Sequence, residues 1–177
     1  MFFPELHTTR LFLREHTVND VNVYYRLLSN LDAVRYYGRK PIRSIAEAEN
    51  EINMMRQSFL SSKSIKWAIM SQINSQYIGC VGIKDFTNAH KRGTLSCIIH
   101  PSCWNSGYAH EALFNVIDYS FTTLALNRVQ AFVDPQNIRA VSLFKSLGFT
   151  QEAILKEYEF EYNNYIDIAI FGMVKKM

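Results

Sequence analysis

Residues 101–115 read PSCWNSGYAHEALFN and place a small, polar turn directly before a helix. The turn contains Ser106 and Gly107, and the apolar residues that follow recur at intervals of three and four, as in an amphipathic helix. The first amides of a helix have no partner within it and carry a partial positive charge, so such a turn can hold phosphate. A single glycine before a helix is more often plain turn chemistry, and the phosphate interpretation therefore depends on the rest of the chain.

The composition of the 177-residue chain is that of a globular protein. Hydrophobic residues make up 48% and aromatic residues 14%, with only 7 Gly and 4 Pro, and we expect a single domain spanning residues 1–177. The formal net charge of +3 is too small to indicate a nucleic-acid partner. The sequence shows no secretory leader and no long apolar run, so we expect a cytoplasmic protein that does not bind membranes, as a monomer or homodimer.

The cysteines raise the question of a metal site. The three cysteines, Cys80, Cys97 and Cys103, form an odd number in a chain without an export signal, so a disulfide framework is not expected. Cys97, His100 and Cys103 are spaced three apart, as on one face of a helix. However, residues 94–99 have strand character and Pro101 interrupts a helix, and in a strand such residues point to opposite faces. We expect free thiols and no metal.

Hydrophobic periodicity predicts an α+β domain with a mostly antiparallel mixed sheet of about seven strands and about four helices. A capping box at Ser44 and Glu47 begins one helix, and Gly148 is suited to end the last one. The strands are expected at residues 11–15, 67–70, 77–84, 94–99, 128–133, 153–162 and 165–174. The helices are expected at residues 21–28, 44–59, 107–121 and 138–147. One β-α-β passage is predicted near the middle of the chain.

A second segment supports the phosphate interpretation of the turn. Residues 134–149, DPQNIRAVSLFKSLGF, follow the next strand. Together with residues 101–112 they resemble the GNAT acetyltransferase superfamily, and within it the branch of the ribosomal-protein N-terminal acetyltransferases. Three shorter stretches extend the resemblance over nearly the whole chain: TRLFLR at 9–14, YIGCVG at 77–82 and YID at 165–167. The resemblance implies a GNAT-type splayed sheet that binds acetyl-CoA in its cleft.

The resemblance also implies which residues bind acetyl-CoA, the cosubstrate, without a metal. The family pattern Gln/Arg-x-x-Gly-x-Gly/Ala falls on residues 104–109, with Trp104 in the first place. The pyrophosphate would be held by the backbone amides of Asn105, Ser106, Gly107, Tyr108, Ala109 and His110. The pantetheine would pair with the strand end Ile98, Ile99 and His100, and would also contact Asn137 and Phe144. Structural roles remain open for Trp104 and Phe144 in the core and for Asn137 as a helix cap.

Four positions depart from the family pattern. Asn105 stands where this branch usually has Gly, and Thr94 stands where many members have Glu. Ala140 and Phe144 stand where relatives often carry a hydroxyl that can protonate the leaving thiolate. Ser142 is two residues from Ala140 and is therefore turned to another side of the helix. We expect no dedicated side-chain acid and a slow turnover.

The base that accepts the proton of the amine is predicted on the strand after Gly148. Glu157, Glu159 and Glu161 lie on that strand, and alternation sends all three side chains to one face. Glu159 falls where the ribosomal-protein acetyltransferases of this branch carry their proposed base, and we select it as the catalytic residue. A solvated edge of the sheet is the structural alternative for these carboxylates.

The predicted activity is N-acetylation of a primary amine, foremost the N-terminal amine of a protein such as a ribosomal protein. The alternatives are an antibiotic- or polyamine-modifying enzyme, a catalytically silent CoA-binding module and a purely structural interaction domain. Residues 34–44 include Arg35, Arg39, Lys40 and Arg43, either as a solvated loop or as a rim that faces the acceptor. A basic rim favours an acidic peptide over a polycation, because like charges repel.

Overall fold

The computed structural model describes residues 2–87, 89–161 and 163–175. Within these residues one sheet contains the strands β1 (Leu6–His7), β2 (Leu11–Arg14), β3 (Ser64–Ser71), β4 (Tyr77–Thr87), β5 (Arg92–Ile99), β6 (Arg128–Val133), β7 (Thr150–Glu161) and β8 (Asn164–Val174). The α-helices are α1 (Val21–Leu28), α2 (Leu31–Val34), α3 (Ile45–Leu60), α4 (Tyr108–Thr122) and α5 (Ile138–Ser146). Short 3₁₀ turns at Val18–Asp20 and Pro101–Cys103 precede α1 and α4.

The predicted α+β class and the mostly antiparallel mixed sheet are confirmed. The described part of the sheet has eight strands rather than about seven, because the two-residue β1 pairs with β2 through Leu6 and Leu13. The helix ends follow the expected caps: the Ser44 hydroxyl oxygen accepts from the Glu47 amide at 3.2 Å, and Gly148 has a φ of +88°. The predicted strand end at Tyr162 lies outside the described residues.

The sheet opens between two neighbouring strands. The strand order is β1-β2-β3-β4-β5-β6-β8-β7, and β5 and β6 form the one parallel pair among the described strands. Helix α4 connects them, which confirms the predicted β-α-β passage. Their pairing joins only Arg92–Thr94 to Arg128–Gln130. Beyond Thr94 the two strands diverge, and the gap between them leaves one edge of β5 without a strand partner.

Two apolar clusters hold the helices against the sheet. One cluster contains Trp67, Leu113 and Val116 and fixes α4 against the sheet. The other contains Tyr24 and Leu27 and lies beneath α1 and α3. Full burial of one such side chain contributes about 2 kcal/mol. The strands and helices that border the gap are therefore anchored by the core.

Three expectations from the sequence concern the cysteines, a metal site and membrane binding. All three thiols are free, with Cys97 on β5 and Cys103 in the 3₁₀ turn before α4. Among the described residues, no group of three or more His, Cys, Asp or Glu side chains is arranged to hold a metal ion. None of the helices in the described ranges is both long enough and apolar enough to cross a membrane.

Candidate active site

A cleft of about 1480 Å³ fills the gap between β5 and β6. At one end it meets the turn before α4 and the first half of α5. At the other end it meets the loop between α2 and α3 (residues 35–44, the α2–α3 loop) and the end of β7. The cleft thus joins the two regions that the sequence assigns to acetyl-CoA and to the acceptor.

The free edge of β5 borders the cleft with backbone groups. The His100 amide donates to the Ile78 carbonyl of β4 at 2.8 Å, and in an antiparallel pair the groups that face one neighbour alternate with those that face away. The backbone groups of Ile98 therefore point to β4 as well, and those of Cys97 and Ile99 point into the cleft. The Ile99 carbonyl accepts from the Trp104 indole N–H at 2.8 Å.

The residues predicted for the pantetheine differ in the direction of their backbone groups. Those of Ile99 face the cleft, whereas those of Ile98 and His100 are turned to β4, and His100 is not among the residues that border the cleft. The His100 ring instead accepts from the Ser102 amide and caps the 3₁₀ turn. Cys97 was missed because the edge of β5 that stays open depends on where β6 diverges, which has no local sequence signal.

The turn before α4 has the conformation that phosphate binding requires. Asn105 and Gly107 have φ values of +59° and +77°, a region open to Gly and tolerated by Asn. Asn105 therefore adopts a backbone conformation that is also open to the usual glycine. The amides of residues 105–110 donate to no backbone carbonyl of the described chain, as expected for the first turn of a helix. These amides and the helix dipole suit an anion.

The side chains of this turn differ in their relation to the cleft. Asn105, Gly107, Tyr108, Ala109 and His110 border it, whereas Ser106 does not. The Ser106 hydroxyl donates to the Trp104 carbonyl at 3.3 Å. Any contribution of Ser106 to anion binding is therefore limited to its backbone amide.

An ion pair ties the turn to β2. The Arg10 guanidinium donates to Glu111 at 2.7 Å and to the Ser106 carbonyl at 2.9 Å. Its carbon lies 4.7 Å from the centroid of the Tyr108 ring. Glu111 also accepts from the Thr8 hydroxyl and the Arg10 amide. Partial burial opposes ionisation of Glu111, but these hydrogen bonds outweigh it and lower its pKa. Arg10 and Glu111 therefore fix the direction in which the amides of the turn point.

We expect Arg10→Met and Glu111→Gln each to raise the dissociation constant of acetyl-CoA by about two- to fivefold, since a partly exposed ion pair contributes about 1 kcal/mol at most. Isothermal titration calorimetry at neutral pH measures the change. Because the folded pKa of Glu111 is lowered, the stabilisation is present at neutral pH and is lost as the pH falls through that lowered value. Arg128→Met breaks a comparable pair with Glu152 outside the cleft and should leave the affinity unchanged. Equal affinities in all three variants would show that the Arg10–Glu111 pair does not order the turn.

Helix α5 forms the wall opposite the free edge of β5. The Asn137 side-chain oxygen accepts from the Ala140 backbone amide at 3.2 Å, which confirms that Asn137 caps the helix. The side-chain NH₂ group of Asn137 can then donate to a ligand. Phe144 borders the cleft and also packs in the core, edge to face with Phe149 and stacked on Phe171. Ser142 also borders the cleft. It therefore belongs to the site, although it lies on a different side of the helix from Ala140.

Arg139 is a cleft residue that the sequence did not single out. Its guanidinium carbon lies 4.4 Å from the centroid of the Trp104 ring, at the end of the cleft that holds the phosphate-binding turn. An exposed arginine next to free helix amides adds positive charge for a phosphate. Arg139 and Trp104 are 35 positions apart in the chain, so no local sequence pattern indicates that their side chains are in contact.

Two carboxylates lie at the acceptor end of the cleft. Glu159 and Glu161 both border it, and a Cβ placed on Gly38 would lie 3.9 Å and 3.6 Å from their carboxylate oxygens. Burial, reinforced by the negative charges of Glu159 and Asp134, raises the pKa of Glu161. Within the described residues, neither Glu159 nor Glu161 has an ion-pair or hydrogen-bond partner, so both can serve a ligand.

The prediction that Glu157 shares their face is wrong. The pairing of β7 with β8 shifts register between Leu155 and Glu159, and Glu157 has a φ of +50°. Four steps along β7 from Leu155 to Glu159 match only two steps along β8, so Glu157 lies within an irregular stretch where strict alternation does not hold. Glu157 is exposed outside the cleft, and its amide donates to Asp167 at 3.0 Å.

The basic residues of the α2–α3 loop do not act as one rim. Arg39 forms a bidentate ion pair with Glu51 of α3. The Glu51 carboxylate also accepts a hydrogen bond from the Tyr24 hydroxyl at 2.8 Å. Arg35 is exposed and borders the cleft, whereas Lys40 and Arg43 do not border it. The interpretation as a rim therefore applies to Arg35, and Arg39 serves the packing of the loop.

Comparison with known proteins agrees with this arrangement. The family model described as "Acetyltransferase (GNAT) domain" matches residues 10–150. The uncharacterized N-acetyltransferase YoaA of Bacillus subtilis (strain 168) is 30% identical over 173 residues, with 98% of each chain covered. The spermidine N(1)-acetyltransferase of Escherichia coli (strain K12) is 26% identical over 171 residues, with 95% of this chain and 88% of the relative covered.

Solved structures share the fold. The ribosomal L7/L12 alpha-N-protein acetyltransferase RimL, in complex with coenzyme A, superposes with a TM-score of 0.89 at 15% identity, over 97% of this chain and 98% of that chain. The cleft, the phosphate-binding turn and the family match together define a GNAT acetyltransferase. The chain belongs to this family, and it is an N-acetyltransferase that uses acetyl-CoA.

Proposed function

We propose that the chain acetylates the N-terminal amine of a protein. The observation that carries this proposal is the mixed charge of the acceptor end of the cleft. The cations Arg35, Lys66 and Lys84 border the cleft together with the acids Asp32, Asp134, Glu159 and Glu161. A fifth acid of the lining, Glu51, is paired with Arg39. A polyamine with several positive charges is best held by a surplus of carboxylates, whereas a peptide N-terminus brings one positive charge and a chain of amides.

The roles of the residues follow from their positions. The amides of residues 105–110, with Arg139 beside them, hold the pyrophosphate of acetyl-CoA. The backbone groups of Cys97 and Ile99 pair with the amides of the pantetheine, and Asn137 donates to it from the opposite wall. Acetyl-CoA supplies the acetyl group as an activated thioester. The pantetheine then lies in the gap where β5 and β6 diverge, with its acyl end toward the α2–α3 loop.

Glu159 accepts the proton that the attacking amine loses, directly or through one water. The nitrogen forms its bond to the acetyl carbon while the bond from that carbon to sulfur breaks, and the sulfur leaves as a thiolate. Ala140 and Phe144 supply no hydroxyl for this thiolate, and Ser142, which borders the cleft, lies on another side of α5 from Ala140, so we expect slow turnover. Glu161 lies next to Glu159, and burial together with the negative charges of Glu159 and Asp134 raises the pKa of Glu161.

A polyamine acceptor is the second candidate. It is supported by the relatives that are spermidine acetyltransferases and by the absence of a cation paired with Glu159 or Glu161 in the described chain. Release of free thiol from acetyl-CoA separates the candidates when N-terminal hexapeptides, spermidine and an aminoglycoside are compared at equal concentration. We expect kcat/KM for the best peptide to exceed that for spermidine at least tenfold. A faster reaction with spermidine would reject the proposal, and acetyl-CoA binding without thiol release would indicate a silent module.

Arg35 is expected to contribute to the choice of peptide. Arg35→Glu reverses a charge at the mouth of the cleft and should lower kcat/KM for acidic hexapeptides about three- to tenfold, with little effect on acetyl-CoA affinity. Arg43→Glu reverses an exposed charge of the same loop that does not border the cleft, and it should leave the peptide profile unchanged. Identical profiles of the two variants would assign Arg35 to the solvated surface.

A further inference from the structure

Lys66 is a cation on the floor of the acceptor end of the cleft. It lies on β3 opposite Gly82 of β4, and a Cβ on Gly82 would be 3.2 Å from the Lys66 Cγ. The lack of a side chain at Gly82 therefore leaves room for the Lys66 stem. The ammonium lies 5.6 Å from the centroid of the Tyr37 ring and 5.8 Å from that of Tyr24. The two rings hold the head group in place at the cleft.

The charge of Lys66 has no carboxylate partner among the described residues. The carboxylate of Glu51, which also borders the cleft, is already engaged by Arg39 and by the Tyr24 hydroxyl. Burial opposes the charge on Lys66, but the neighbouring Cys80, Tyr37 and Tyr24 side chains outweigh it and raise its pKa well above the ordinary value. The surroundings therefore keep Lys66 charged although it has no ion-pair partner among the described residues, and this charge can pair with an anionic group of a ligand.

The α2–α3 loop places Lys66 close to the carboxylate pair. Tyr37 contacts the Lys66 ammonium, and Gly38, the next residue, lies beside Glu159 and Glu161. The Lys66 ammonium and the Glu159 and Glu161 carboxylates therefore lie next to consecutive residues of the loop. An acceptor in this part of the cleft meets opposite charges at its two ends.

We propose that Lys66 binds a carboxylate of the acceptor whose amine lies toward Glu159. The substrate class is then a primary amine with a carboxylate a few bonds away. This inference rests on the proposed function, in which such a carboxylate is the side chain of an acidic residue that directly follows the N-terminal residue. A free amino acid offers the same chemistry through its own carboxylate, and spermidine lacks it and is repelled by the ammonium.

The test compares two hexapeptides that differ only in Glu or Gln at the second position. With the wild-type protein, kcat/KM for the Glu peptide should exceed that for the Gln peptide at least tenfold. Lys66→Met keeps the length of the stem and removes the charge, and the ratio should fall below about three, the range left to weak surface electrostatics. Lys63→Met removes an exposed lysine outside the cleft, and the ratio should stay at its wild-type value. A ratio in Lys66→Met equal to that of the wild type overturns the proposal.

Acetyl-CoA affinity and the melting temperature show whether Lys66→Met is folded. If Lys66→Met does not fold, Lys66→Arg is measured instead; it keeps the charge and should keep a Glu-to-Gln ratio above about three. The wild-type protein also tests the proposal by itself, since a wild-type ratio near one overturns it. Free glutamate and glutamine as acceptors show whether a small amino acid is the source of the carboxylate. Failure of the proposed function gives a different result, because spermidine is then acetylated faster than both peptides. Good turnover of both peptides with a ratio near one rejects only the role of Lys66.

Discussion

Glu159→Gln is expected to lower kcat at least tenfold at pH 7, since a positioned carboxylate base contributes about 10²–10⁴-fold. Glutamine has the shape of the carboxylate but cannot take the proton of the attacking amine. Glu159 borders the cleft beside Gly38 and has no partner in the described chain, so the loss reflects chemistry rather than a broken structural contact. Steady-state thiol release between pH 6 and pH 9 measures the effect.

The pH dependence of Glu159→Gln gives a second readout. As the pH rises, a larger fraction of the amine is already deprotonated, so less proton transfer depends on Glu159 and the loss in kcat should shrink. A merely structural role would give a loss that is constant with pH.

Glu157→Gln is the matched control, because Glu157 lies on the same strand but outside the cleft. It should retain at least half of the activity. Wild-type kinetics in Glu159→Gln would reject this base, and Glu161→Gln would then be the variant to measure, since Glu161 borders the same part of the cleft.

Gly107→Val is expected to raise the dissociation constant of acetyl-CoA at least about thirtyfold. The φ of +77° at this position is unfavourable for every β-branched residue, and the new Cβ would lie 3.3 Å from an Arg10 nitrogen. The backbone must shift or Arg10 must move, and either change turns the amides of residues 105–110 away from the phosphate. Isothermal titration calorimetry with acetyl-CoA measures the loss, and circular dichroism verifies the fold.

Gly38→Val is the matched control for backbone strain. Gly38 also has a positive φ, +71°, but it lies in the α2–α3 loop at the acceptor end of the cleft. Its variant should keep the affinity for acetyl-CoA while it changes the Michaelis constant of the amine. Unchanged acetyl-CoA affinity in a folded Gly107→Val protein would mean that the pyrophosphate binds elsewhere.

Features set by neighbouring residues could be predicted from the sequence alone. The strand Arg128–Val133 was predicted with its observed bounds, because its apolar residues lie between clear breaks in the pattern. The cap at Ser44, the positive φ at Gly148 and the turn at residues 105–107 followed from residue types at fixed offsets. Such features depend on contacts within a few residues, and the sequence records those contacts directly.

The tertiary structure decided which groups face the cleft. The free edge at Cys97 and Ile99 exists because β6 pairs with only three residues of β5, and the direction of Glu157 depends on the register of β7 against β8. Arg10 and Glu111 meet across about a hundred positions, and the Lys66 ammonium is held by rings from α1 and the α2–α3 loop. Each of these contacts joins segments that approach only when the core is packed, so their partners leave no periodic pattern in the chain. The sequence by itself therefore determined the elements, the turn before α4 and the family, and packing determined which charges face the cleft.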